Sequence, residues 1–447
     1  MNKVVKKNKY IYYLILLVTG WGFFFLLGQN DYVLYTDSMT YLEPSQFVSE
    51  RYIIYPLFLN MCRNIFGENN FLSIVYWIQG TLAIVVSWIS VEYFRKRFEL
   101  SYFWSALLYF CLFLPYGYSL PESVATHHIL TEGLSYTLFH FFLLQIVKSF
   151  LDTSWKNIAG AFGALLLLVL LRGQLLFLVP VFCIYTIAFL LRKGKIHFDI
   201  KGNVVKILLV AGCLLVVVNM AFIWLISSGK FLQATTAVSG RVLCLLEEDD
   251  EALFEGHELA IYHELYNAVM ESGTNADTFR PGLRGWEDIA NSSNENTKIA
   301  RNVVLEYYTT YMSDRIDNGI DKIIASMSGK LLRAHYAEYW GMTLLLCLES
   351  LVLSIFIQPS RIFTLCNIAA MFLYIFSIVL FVRSLRIRRD VDITIPYIIT
   401  MTALLGNVFI TNLLFYGMQR YIVYTFGYFY LSLILMLSKL SLNIKEE

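Results

Sequence analysis

Four separate stretches of the chain carry side chains able to do chemistry: Asp37, the run Thr126-His127-His128-Ile129-Leu130-Thr131-Glu132, Arg172 in Leu171-Arg172-Gly173-Gln174, and Gln419-Arg420-Tyr421. A carboxylate such as Asp37 can take a proton from a hydroxyl or ligate a divalent cation, although an acid in a polar loop can also serve solubility alone. Glu132 falls about one turn inside an apolar helix. There a carboxylate costs about 3 kcal/mol on insertion scales, so it either faces a polar surrounding or bonds to a neighbouring helix. His127 and His128 have the chemistry of metal ligands or phosphate partners, with simple solvation at an interface as the alternative. Arg172 and Arg420 each interrupt apolar sequence with no acidic neighbour. Such a guanidinium needs an anion, a carbonyl cluster or a lipid headgroup, or else it snorkels to the membrane surface.

The elements that must hold these residues are membrane helices. Hydrophobic residues make up 57% of the 447 and charged ones only 15%, well below the quarter expected of a soluble protein. A bilayer core of about 30 Å asks for about 20 apolar residues per helix. Candidate spans run over 11–28, 71–91, 102–120, 128–147, 157–171, 173–191, 207–229, 341–360, 362–382, 393–418 and 421–437. The expected fold is therefore an all-α polytopic membrane protein with about 11 (10–12) transmembrane helices. Short interfacial helices are expected in the first outer loop, 29–70, and a helical outer segment over 230–340. Within that segment Ala300–Tyr311 and Ile320–Ala334 have helical spacing. The division is a transmembrane module over 1–229, the outer segment, and C-terminal helices over 341–447.

Basic residues in short loops set orientation. Lys3, Lys6, Lys7 and Lys9, then Arg95, Lys96 and Arg97, then Arg192, Lys193, Lys195, Lys201 and Lys206 share the cytoplasmic side if the first seven spans each cross. The chain is then a multi-pass protein of the cytoplasmic membrane whose first helix is retained, and its chemistry lies on the outer face. Eleven crossings would put Arg383, Arg386, Arg388 and Arg389 outside, against the charge rule, so an even count is preferred. Basic and acidic residues nearly balance, 35 against 34, which argues against nucleic acid as a partner. The seven cysteines have no disulfide or metal-type spacing; Cys111, Cys183, Cys213, Cys347 and Cys366 lie in apolar spans.

The order of these features resembles the GT-C class of polytopic glycosyltransferases, which includes protein O-mannosyltransferases and lipid A aminoarabinose transferases. The matching pieces are Asp37 in the first outer loop, Arg51 to Phe58 (R-x-x-x-Y-P-L-F), Leu130-Thr131-Glu132, Leu171-Arg172-Gly173-Gln174 and Arg420-Tyr421. They cover residues 1–230 well and the remainder thinly. The chain departs from the class in having a single acid in Thr36-Asp37-Ser38, and in having Gly173 where a proline is usual after the arginine.

The resemblance implies inverting transfer of a sugar from a polyprenyl-phosphate donor to a hydroxyl on a glycan, lipid or protein. Asp37 is then the general base. Arg172 and Arg420 stabilise the leaving phosphate, Glu132 orients a donor hydroxyl or an arginine, and Arg51 positions the loop. His127, His128 and Tyr421 join the substrate-binding set, and membrane lipid is a further partner. A divalent cation is the one cofactor left open, with Asp37 and His128 as the residues to hold it. Two rivals remain. An O-antigen-type polysaccharide polymerase or ligase would rely on arginines such as Arg280 and Arg284. A transporter of lipid-linked glycans would show inverted repeats, and none is visible.

Overall fold

The computed structural model describes residues 2–26, 32–42, 54–118, 123–192, 233–279, 284–311, 320–353, 361–388, 391–414 and 419–443. These residues are helical apart from short connections and one isolated bridge between Val33 and His128. Six helical stretches among them are long and apolar enough to cross a membrane: Lys9–Leu26, Phe71–Arg97, Thr131–Asp152, Gly173–Arg192, Asp392–Leu413 and Arg420–Leu440. Tyr102–Gly117 and Trp155–Leu171 are apolar but shorter. The chain is thus a helical, membrane-embedded protein. The described residues do not reach the expected count of about eleven, and the candidate span 207–229 lies outside them.

The chain folds as two compact units, and the first is discontinuous: Met1–Ile226, Val352–Asn407 and Gln419–Glu447. The C-terminal helices, a separate segment by sequence, therefore belong largely with the N-terminal ones. Helices of the first unit are α1 (Asn2–Trp21), α2 (Thr36–Leu42), α3 (Ile54–Phe66), α4 (Phe71–Arg97), α5 (Tyr102–Tyr118), α6 (Thr131–Asp152), α7 (Trp155–Leu171) and α8 (Leu178–Arg192). Of these, α3 is only 13 residues and amphipathic. Its Tyr55, Leu59 and Cys62 pack with Phe71, Val75, Ile129 and Leu171, while Leu57, Met61 and Ile65 on the other face are exposed.

The second unit comprises Ser227–Leu351 and Val408–Met418. It is built on α9 (Gln233–Val242), α10 (His257–Ser272), α11 (Arg284–Tyr311), α12 (Ile320–Ala334) and most of α13 (Tyr336–Leu353). Both stretches expected to be helical from their spacing are helices, in α11 and α12. Ile261, Leu265, Ala300, Val304, Met327, Leu331 and Leu346 form its core. Arg241 is buried in it, donating to Thr343 Oγ1 and to the Asn412 carbonyl, with the Tyr339 ring 5.3 Å away.

The last helices are α14 (Arg361–Arg388), α15 (Val391–Leu414), the single turn α16 (Gln419–Ile422) and α17 (Phe426–Asn443). Asp392 at the start of α15 binds Arg97 at 2.7 Å and Arg192 at 2.8 Å, which close α4 and α8. Fifteen residues later on the same helix, Asn407 donates to the carbonyls of Tyr421 and Ile422. At 1.5 Å per residue that is a run of about 22 Å. The first unit thus has a basic end holding Arg97, Arg192 and Asp392 and an opposite end holding Tyr421.

Candidate functional site

The first loop is pinned to the entry of α6 by backbone bonds. Val33 N donates to the His127 carbonyl and Ile129 N to the Val33 carbonyl, both at 3.0 Å. The Tyr35 ring then stacks on His128 at 5.0 Å. Tyr35 N donates to Ser38 Oγ at 2.9 Å, and this local turn starts α2, whose first turn carries Asp37. The other end of α2 is held where Arg63 of α3 donates to the Leu42 carbonyl at 3.3 Å. Short-range bonds at both ends leave Asp37 little freedom relative to α6.

The turn before α6 is held from beneath by Gln79, a fully buried residue in the middle of α4. Its amide donates to the Thr126 carbonyl at 2.8 Å and to the His128 carbonyl at 3.4 Å. Gly133 leaves room for this amide. A Cβ at that position would come within 2.7 Å of the Gln79 amide oxygen.

Arg172 ends α7 in an extended conformation, φ −154° and ψ 117°, so the chain leaves the helix and turns back through the 3-10 turn Gly173–Phe177. Its guanidinium reaches Glu132 Oε1 at 2.7 Å, Thr131 Oγ1 at 3.0 Å and Gln174 Oε1 at 3.1 Å. Glu132 is therefore not a lone acid in the membrane but one half of a buried ion pair. Nor does Arg172 snorkel to lipid, since its side chain is only 14% exposed. Burying both charges is tolerable because each supplies the other's counter-charge and hydrogen bonds.

Arg420 arrives from the turn α16, too short to satisfy its own carbonyls. Side chains from three other elements take them. Tyr136 of α6 donates to the Arg420 carbonyl at 2.8 Å, and Gln174 and Asn407 each donate to the Tyr421 carbonyl at 3.0 Å. With its backbone so fixed, Arg420 puts Nη2 3.4 Å from Asp37 Oδ2 and 3.0 Å from the Tyr421 hydroxyl. Its Nε stands 3.9 Å from Glu132 Oε1, beyond hydrogen-bonding distance, and this buried N–H has no hydrogen-bond partner. The Tyr421 ring has both guanidinium groups near it, Arg172 at 4.9 Å and Arg420 at 5.0 Å from its centroid.

Asp37, Glu132, Arg172, Arg420 and Tyr421, named from sequence as five points on four stretches, thus meet in one place. The remaining candidates do not all join them. His127 and His128 are buried rather than solvated. A ring nitrogen of His127 meets the Phe24 carbonyl and its ring packs against Tyr76 at 4.8 Å. His128 Nε2 meets the Ser123 carbonyl at 3.3 Å. Burial pushes the His128 ring down to about 4, so it is neutral at ordinary pH. Arg51 and Arg280 lie outside the described residues, as does the side chain of Arg284.

Gln79, Asn407, Ser135 and Tyr424 were not picked out by sequence, though they build the site's frame. Ser135 and the Tyr424 hydroxyl lie 2.9 Å apart. The available signal was an amide inside a long apolar run, at Gln79 and Asn407, which must find a carbonyl when buried.

Chemically, the cluster balances two carboxylates against two guanidinium groups, with Asp37 the most exposed of the four at 40%. No three His, Cys, Asp or Glu side chains among the described residues are grouped to hold a metal ion. Asp37 meets a guanidinium, and the nearest histidine rings bond backbone carbonyls. This donor set does not fit a divalent cation. Comparison of the chain with protein-family models, curated proteins and solved structures gives no match.

Proposed function

We propose that this protein is a membrane glycosyltransferase of the GT-C type. It moves a sugar from a polyprenyl-phosphate-linked donor to a hydroxyl on a glycan, lipid or protein acceptor at the outer face of the cytoplasmic membrane. The observation that carries the reading is the meeting of Asp37 and Arg420, 383 residues apart, beside the buried pair of Glu132 and Arg172. Two cations and a partly exposed acid at a helix-bundle end suit a phosphate and a hydroxyl bound side by side.

In the reaction the acceptor oxygen attacks the anomeric carbon and the bond from that carbon to the phosphate oxygen breaks, inverting the centre. The acceptor proton passes to Asp37. The leaving group departs as a polyprenyl phosphate anion, so it needs charge stabilisation more than a proton, and a fixed guanidinium supplies it without reorganisation. Glu132 keeps the second guanidinium in place. No step is routed through a metal. The basic end at Arg97 and Arg192 is read as cytoplasmic by the charge rule, which puts the cluster on the outer side. The exposed stripe of α3 suits a helix lying in the headgroup region.

The test is transfer of radiolabelled sugar from a polyprenyl-phosphate donor by the purified protein in nanodiscs. Asp37→Asn is expected to abolish transfer while the unfolding transition stays close to that of the wild type. Normal turnover by this variant would remove Asp37 from the mechanism.

A further inference from the structure

The two guanidinium groups are held very differently, and the difference has a functional reading. Arg172 is closely engaged through Nη1 and Nε, with a carboxylate at 2.7 Å, a hydroxyl at 3.0 Å and an amide oxygen at 3.1 Å. Arg420 has the adjacent Tyr421 hydroxyl at 3.0 Å, a carboxylate only at the long distance of 3.4 Å, a second one out of bonding range at 3.9 Å, and a buried Nε–H with no acceptor. A buried donor left without a partner is unfavourable, more so when charged, yet this one sits on a backbone clamped by Tyr136, Gln174 and Asn407. The protein therefore holds Arg420 firmly in position while under-satisfying its charged head.

We propose that Arg420 takes the anionic group of the substrate and releases Asp37 in doing so, while Arg172 stays bound to Glu132. The ligand chemistry is a phosphate ester or free phosphate, whose oxygens match the Nε and Nη edge of a guanidinium. The inference rests on the reading of the cluster as a phosphate-handling site. It adds an order of events. Without the anion, Asp37 is engaged with Arg420. Once the phosphate occupies Arg420, Asp37 is left to accept the proton of the hydroxyl. The acid thus becomes active only when the phosphate is in place.

The experiment measures binding of two probes, inorganic phosphate and a polyprenyl monophosphate, to the full-length protein in nanodiscs by calorimetry. Arg420→Ala is expected to weaken both by at least about tenfold, with Arg420→Lys intermediate because it keeps the charge and loses the Nε edge. Asp37→Asn removes the competitor for Arg420 and is expected to tighten both by about threefold, the scale of a partly exposed ion pair. In an Arg420→Ala background the Asp37→Asn gain should vanish.

A gain that persists in that background comes from removing negative charge in general, and overturns the exchange. So does unchanged binding by Asp37→Asn in the wild-type background. If polyprenyl monophosphate binds equally well to Arg420→Ala, the exchange falls and the glycosyltransferase reading stands. If inorganic phosphate follows the expected pattern and the polyprenyl form does not bind, the exchange stands and the lipid-linked donor falls. Failure of both probes to bind overturns both.

Discussion

Glu132 and Arg172, 40 residues apart in sequence, form an ion pair at 2.7 Å, the carboxylate side chain only 3% exposed, between the start of α6 and the end of α7. The pair fixes the end of α7 to the start of α6. It also keeps one of the two guanidinium groups occupied by protein rather than by ligand.

Breaking this pair from one side should be costly. Glu132→Gln leaves the Arg172 charge buried with hydroxyl and amide partners only, and such losses run to about 3–5 kcal/mol. The unfolding transition in detergent should shift markedly for Glu132→Gln. A variant as stable as the wild type would show that Arg172 finds its counter-charge elsewhere.

Tyr421 should matter through its ring more than through its hydroxyl. Tyr421→Phe keeps both cation contacts at 4.9 and 5.0 Å and loses one hydrogen bond from Arg420. Tyr421→Leu removes both ring contacts, each worth about 0.5–2 kcal/mol. Transfer rates should fall less than about fivefold for the first and more than about tenfold for the second. Equal losses would assign the effect to the hydroxyl.

Gly133→Ala should disturb the site without touching any charge. Its methyl group would meet the Gln79 amide, with contacts of 2.7 to 3.0 Å. To relieve the clash Gln79 must release the Thr126 and His128 carbonyls. A loss of about 1–3 kcal/mol is expected on unfolding, typical of overpacking. Gln79→Ala in the same background should recover part of it, and no recovery would locate the strain elsewhere.

The orientation can be read in intact cells. Lys96→Cys and Asn64→Cys replace exposed residues near the basic end and on α3, respectively. A membrane-impermeant maleimide should label Asn64→Cys from outside and reach Lys96→Cys only after the membrane is opened. The reverse pattern would move the candidate site to the cytoplasmic face.

In the second unit, Glu258 accepts from Lys330 Nζ at 2.6 Å and from Ser326 Oγ at 2.8 Å. Burial opposes its charge, but the bonds from Lys330 and Ser326 outweigh it and hold the carboxyl below its ordinary value of 4.5. A carboxylate whose pKa is depressed by folding stabilises above its unfolded value, and that contribution is lost as pH falls through the folded value. The contribution is small, about 1 kcal/mol or less for so exposed a pair. Glu258→Gln should flatten the acid limb of the stability profile below pH 4.5 and change little at neutral pH. An unaltered acid limb would assign that limb to other groups.

The sequence by itself determined the solvent, the helical class and the stretches that bear chemistry. Hydropathy and charge are local properties: each apolar run declares itself without reference to any other, and Glu132 or Arg172 is conspicuous against its immediate neighbours. Helical spacing likewise gave the Ala300–Tyr311 part of α11 and the whole of α12 in the second unit. Which charges pair was decided only by the tertiary structure. Asp37 meets Arg420 across 383 residues, and Asp392 meets Arg97 across 295, because particular helix ends converge, and no local pattern encodes convergence. The same limit hid the burial of His127 and His128 and the bracing by Gln79 and Asn407. A polar residue near an apolar run looks alike in sequence whether it faces water, lipid or another backbone, and only packing assigns it a partner.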